Sequence, residues 1–131
     1  MTLADIRDWL RTLNVGEHFY VGKIDNKKDK SIGVYDRQTG GGANIAIGGP
    51  EATKTAVKHI SVLIHWNNNA SETEAKAQYL YNSLLCLKDV TIGDKHVDYI
   101  YLATPAPIEV DTDDKGVYER VIWLDIYYKK G

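Results

Sequence analysis

The sequence predicts an α+β fold: a mostly antiparallel sheet with two helices packed on one face, formed by a single domain spanning residues 1–131. Three observations carry this. Most apolar runs are separated only by short turns, which favours antiparallel neighbours. Two runs, 57–66 and 117–128, alternate apolar and polar residues with the period of a strand. Two others, beginning at Leu3 and after Ser71, repeat their apolar residues at helical spacing.

The first helix is expected over 3–13, with Thr2 or Asp5 as its cap. Leu3, Ile6, Leu10 and Leu13 form its stripe, broadened by Trp9, and Arg7, Asp8 and Arg11 fill the other face. Asn14 and Gly16 end it. Residues 18–24 and 31–36 follow as β-rich runs. The segment Asp25-Asn26-Lys27-Lys28-Asp29-Lys30 between them reads as the charged tip of a hairpin. Its lysines are nearly balanced by its aspartates, which fits a solvated turn better than a nucleic-acid patch.

Residues 40–55, GGGANIAIGGPEATKT, invite comparison with a phosphate-binding loop. That loop requires G-x-x-x-x-G-K-[ST] after a strand and at the start of a helix. Gly48 takes the first glycine position, but Thr53 takes the second, placing a branched side chain where the backbone must approach the phosphate. Lys54 and Thr55 lead into a strand, not a helix. A G-x-G-x-x-G fingerprint starting at Gly40 fails at Ile45. The segment reads as a long, mobile surface loop; residues 37–50, with Ile45 and Ile47 at their apolar centre, are expected to become ordered against a neighbour.

In 57–66, Ile60, Val62, Ile64 and Trp66 share one face and His59, Ser61, Leu63 and His65 the other. His59 and His65 are six residues apart, about 20 Å along a strand, so they cannot hold one metal. Asn67-Asn68-Asn69 is a turn, and Ser71 with Glu74 reads as a capping box opening a helix that runs to about Lys88. Its buried stripe is Ala77, Leu80, Tyr81, Leu84 and Leu85. Cys86 near its end reads as a small apolar residue, with no histidine base beside it.

A strand over 96–104, broken by Pro105-Ala106-Pro107, gives way to an extended stretch, 108–111. The turn at 111–116 mimics a calcium loop, with Asp111, Asp113 and Gly116 at positions one, three and six. Lys115 at position five and Ile122 at position twelve exclude an EF-hand. In the last strand Ile122, Leu124 and Ile126 face one way, and Val121, Trp123, Asp125 and Tyr127 the other.

The formal charge of −2 gives no basic field for nucleic acid or an anionic membrane. The single cysteine excludes an intrachain disulfide and fits a reducing compartment. With charged residues among the first apolar ones and no run near the roughly 18 residues of a membrane span, a soluble intracellular chain is expected. No nucleophile, paired-carboxylate or metal spacing emerges, so neither an enzyme nor a cofactor is expected.

Three stretches in order, "FYVGKIDNKKDKSIGVYDRQTGG", "HISVLIHWNNNASETEAKAQYLYNSLL" and "ATPAPIEVDTDDKGVYERVIWLDIYYKK", resemble the phage minor capsid and tail terminator proteins. The shared elements are a G-x-hydrophobic and an I-x-V-Y element, a strand leading into a helix with a small-x-x-x-hydrophobic-Tyr pattern, and a proline-marked segment with a D-x-x-G turn before a long alternating strand. Together they span nearly the whole chain after Glu17; the 3–13 helix is the departure. The resemblance implies a small α+β subunit of a ring, usually a hexamer. Such a ring caps the tail tube and meets the head connector or completion protein, in a virion assembled in the bacterial cytoplasm. Its implied partners are further copies of itself, the tube protein and the connector, with no membrane and no specific nucleic acid. Asn44, Ile45, Ile47, Trp123 and Tyr127 are the candidate partner contacts. Other connector or tube roles, and a small-ligand-binding domain with 40–49 as a lid, also fit the sequence. The aromatic face is equally open to a simpler account, in which solvated tyrosines tolerate water.

Overall fold

A computed structural model describes residues 1–25, 27–38, 54–87, 89–110, 112 and 116–130. At the N-terminus Thr2 and Asp5, the two cap candidates, act together. The Asp5 amide donates to Thr2 Oγ1 at 3.1 Å, and the Thr2 amide donates to the Asp5 carboxylate at 2.9 Å. This reciprocal box opens α1 (Leu3–Arg11), which turns Ile6 and Leu10 into the core. Asn14 and Gly16, both at positive φ, redirect the chain.

The bonds from Thr2, backbone first and then side chain, hold the Asp5 carboxyl below the usual carboxylate range. A carboxylate lowered on folding stabilises above its unfolded pKa, and that contribution is lost as pH falls through the folded value. Asp5→Asn should therefore lower the melting temperature at pH 7 and narrow the gap between pH 7 and pH 3. Thermal melts at both pH values check this.

The expected hairpin between 18–24 and 31–36 is not what forms. β1 (His18–Val21) and β2 (Ser31–Asp36) pair in parallel, from His18↔Ser31 to Val21↔Val34. Gly22 turns at φ 73, its amide donating to Val34 O at 2.8 Å, and the chain then runs back to restart beside Glu17. Ile24 anchors this return by packing on Gly33, where an added Cβ would lie 2.7 Å from its Cγ2. Turn-like composition concealed a short crossover whose one apolar residue needs a glycine beneath it.

β3 (Thr55–His65) and β7 (Glu119–Lys129) pair antiparallel along their whole length, from Thr55↔Lys129 to His65↔Glu119. They form the centre of the order β1-β2-β3-β7-β5-β4, with β6 (Ile108–Val110) also on β7. The β1–β2 pair is the one parallel pair among the described strands. As the alternation predicts, Ile60, Val62, Ile64, Ile122, Leu124 and Ile126 are fully buried on one face. They join Ile6 and Leu10 of α1 and Ala77, Leu80 and Leu84 of α2 in one core, so both helices lie on that face.

α2 (Ala70–Leu85) starts earlier than the Ser71 box implied: Asn69 is the cap, its side-chain oxygen accepting from the Glu72 amide at 3.0 Å. Asn69 is in turn fixed by its own amide donating to Asn67 Oδ1 at 2.9 Å, so the asparagine turn and the cap form one unit. The helix stops at Leu85, with Cys86 as an exposed C-cap. Leu85 itself is 62 % exposed, and Thr73 takes the fifth place in the buried stripe.

β4 (Val90–Ile92), too short to show periodicity, makes a tight hairpin with β5 (Lys95–Leu102) around Gly93. Gly93 sits at φ 62, and a Cβ there would lie 2.9 Å from Asp5 Cγ. Gly93→Ala should cost roughly 1–3 kcal/mol, from a strained left-handed alanine and a displaced capping carboxylate. Urea unfolding measures it. Of the calcium-like turn, residues 111 and 113–115 lie outside the described residues, and Gly116 has φ 78.

Candidate functional site

The helix-free face of the sheet collects the side chains of opposite parity. Strand register aligns them in rows. Tyr35, Ser61 and Trp123 are opposite one another on β2, β3 and β7. In the next row His59, Asp125 and Tyr101 are opposed on β3, β7 and β5. Val57, Tyr127 and Tyr99 form the row after that. Arg37 extends the His59 row just past β2, its amide donating to His59 O at 3.1 Å.

Two kinds of chemistry meet here. The first is aromatic. Tyr99 and Tyr127 stack with centroids 4.5 Å apart and planes 12° from parallel. Tyr99, Tyr101 and Trp123 remain 52, 55 and 40 % exposed, so water covers rings that sheet packing could have hidden. Burial in the stack, and then the neighbouring Tyr99 and Asp125, push the Tyr127 phenol above its ordinary pKa and keep it neutral. Tyrosines clustered with a tryptophan are a composition enriched at protein contacts.

The second is ionic. Asp125 Oδ1 accepts from Arg37 Nη2, and His59 Nδ1 lies 2.6 Å from the same oxygen. The Asp125 side chain is 12 % exposed, Arg37 17 % and His59 30 %. Arg37 also lies over Trp123, its Cζ 5.6 Å from the ring centre, which joins the ionic group to the aromatic one. At the far end of the same ladder a second histidine, the buried His65, places Nδ1 2.9 Å from Glu119 Oε2. Each histidine thus has its own carboxylate across β3–β7. Among the described residues, no group of three or more His, Cys, Asp or Glu could hold a metal ion.

Of the candidate contacts, Trp123 and Tyr127 are brought together on this face, flanking Asp125. Asn44, Ile45 and Ile47 lie outside the described residues, as does the glycine-rich part of the loop. What can be placed is its exit: Lys54 O accepts from the Lys130 amide at 2.9 Å and Thr55 begins β3. The Lys-Thr pair therefore enters a strand and opens no helix. Sequence reading put His59 and Asp125 on the strand faces opposite the isoleucines but did not join them. A lone carboxylate amid an apolar-aromatic strand was the available signal, and only the β3–β7 register names its partner.

No helix among the described residues is long and apolar enough to cross a membrane. No protein-family model and no curated protein matches the chain.

Proposed function

We propose that this chain is a structural subunit of a phage head-to-tail junction: a tail terminator whose copies close into a ring on the end of the tail tube, sixfold as the resemblance implies. The observation that carries this reading is the exposure of Tyr99, Tyr101 and Trp123 on a single sheet face. Both helices occupy the opposite face, so nothing from α1 or α2 covers these rings. Rigid aromatic groups exposed together favour a protein contact, because they bury much area at small conformational cost. In this reading the subunit does no chemistry and takes no cofactor. A second copy seats on the aromatic face, while the tube protein and the head connector meet the ring at its two ends. The assembled protein belongs to the virion and is put together in the host cytoplasm.

The alternative of a small-ligand domain rests on residues 40–49, outside the described ones, and gains no observation. Native mass measurement at high protein concentration, with electron microscopy of tails, tests the assembly reading. Closed oligomers, and this subunit at the head-proximal end of the tail, are the expected results. Tails that lack it there overturn the reading. Ring closure templated by the tube would leave dilute protein monomeric, so the tail images decide.

A further inference from the structure

Asp125 is out of place on simple grounds. It sits mid-strand in β7, one of the two longest strands, between Trp123 and Tyr127 on an aromatic face. Taking a carboxylate and a guanidinium out of water is costly, and apolar residues of similar volume would hold the strands together as well or better. A buried ion pair is thus a weak device for stability and a better one for fixing geometry.

What Asp125 fixes is Arg37. The backbone of Arg37 is tied into the ladder at His59 O, at the margin of the sheet. From there a long, flexible side chain would ordinarily extend its charged head into water. Here the guanidinium is drawn inward to the Asp125 carboxylate, and this brings it over the Trp123 ring. His59 grips the same carboxylate oxygen from the neighbouring strand, so the carboxylate is held as well.

We propose that Asp125 is a positioning residue for the assembly face. It holds Arg37 against one side of Trp123, so that the exposed indole meets the neighbouring copy in one orientation. A ring fixed beforehand loses less freedom on contact, and the contact is correspondingly tighter. This inference rests on the reading of the aromatic face as a contact between copies. The ladder also supplies an internal control. Glu119 pairs with His65 across the same two strands, at the end of the ladder and four residues along β7 from Trp123.

The chain has three tryptophans, Trp9, Trp66 and Trp123, so fluorotryptophan labelling gives three fluorine resonances. Trp66 is buried in the core and Trp9 packs against it, so these two report on folding. In the free Asp125→Asn subunit the Trp123 resonance should move or broaden while the other two stay. Self-association by sedimentation should weaken about tenfold or more. Arg37→Gln should match it, and the double variant should be no worse than either single one, since both break one chain of contacts. Glu119→Gln should leave the Trp123 resonance and association unchanged.

A Trp123 resonance that stays in place in Asp125→Asn overturns the proposal. So does one that moves with association at full strength, or a double variant whose effects simply add. If Asp125→Asn does not fold, Arg37→Lys carries the same test, because it keeps the charge and lacks the planar fork. Wild-type protein that never associates, even on tails, would refute the assembly reading instead. The Trp123 resonance would then decide the Asp125–Arg37–Trp123 coupling alone.

Discussion

Trp123→Ala should weaken self-association by about 30-fold or more while leaving a folded subunit. A tryptophan central to a protein contact costs on the order of 2 kcal/mol or more when truncated, because a large rigid ring and its pocket are lost together. Trp123 fits that role by position: it is 40 % exposed, next to the ionic group, and in line with Ser61 and Tyr35 across the sheet. Its removal opens no hole in the main core, which lies on the other side of β7. The stability cost should accordingly stay near roughly 1 kcal/mol. Sedimentation of wild type and variant at matched concentration reads the first effect, and urea unfolding the second. Equal association in both proteins would move the contact to another surface.

Leu124→Ala, one position along the same strand, should have the reverse profile. Leu124 is fully buried, opposite Ile60 of β3 and Leu102 of β5, within the core shared with both helices. Truncating a buried leucine costs about 2–5 kcal/mol, from lost transfer energy and from the cavity left behind. A strand paired on either side and a close-packed core leave little room for collapse, which places the effect in the upper half of that range. The melting temperature should drop by roughly 10 °C or more. Association of whatever protein remains folded should be unchanged, because the residue never reaches the outer face. Adjacent positions thus separate assembly from stability.

The alternation that makes those two variants opposites was legible in the sequence. A period of two along β3 and β7 is a direct consequence of pleating, so Ile60, Val62, Ile64, Ile122, Leu124 and Ile126 could be assigned to the core without coordinates. Helical spacing likewise identified Ile6, Leu10, Ala77, Leu80 and Leu84. The sense of the β1–β2 pair was not legible. Polar turn residues are equally compatible with a reversal and with a crossover, and the contact of Ile24 on Gly33 that separates them is tertiary. The start of α2 was misplaced because Asn69 and Ser71 are both competent caps, and the Asn67 turn decides between them.

For the candidate site the limit is register. His59 and Asp125 are 66 residues apart in sequence, and nothing local to either one says that they meet. Arg37 is further still, 88 residues from Asp125. Trp123 and Tyr127 were found because they share a strand and a face, information contained in one short stretch of chain.

The placement of β7 beside β3 also sets the order in which this protein can fold during synthesis. Even the nearest of their paired residues, His65 and Glu119, are 54 positions apart, and the whole of α2, β4, β5 and β6 is made between them. Until residues 119–129 leave the ribosome, β3 has a partner only on its β2 side, and Ile60, Val62 and Ile64 lack the row of Ile122 and Leu124 beside them. α2 packs on β3, β5 and β7, so it too waits for the last strand. Closing so long a loop is entropically slow, and the contacts that reward it arrive together at the end. Until β7 is made, β3 and α2 therefore lack the strand that completes their apolar face, and the contacts that close the sheet form only after every element between β3 and β7 has been synthesised.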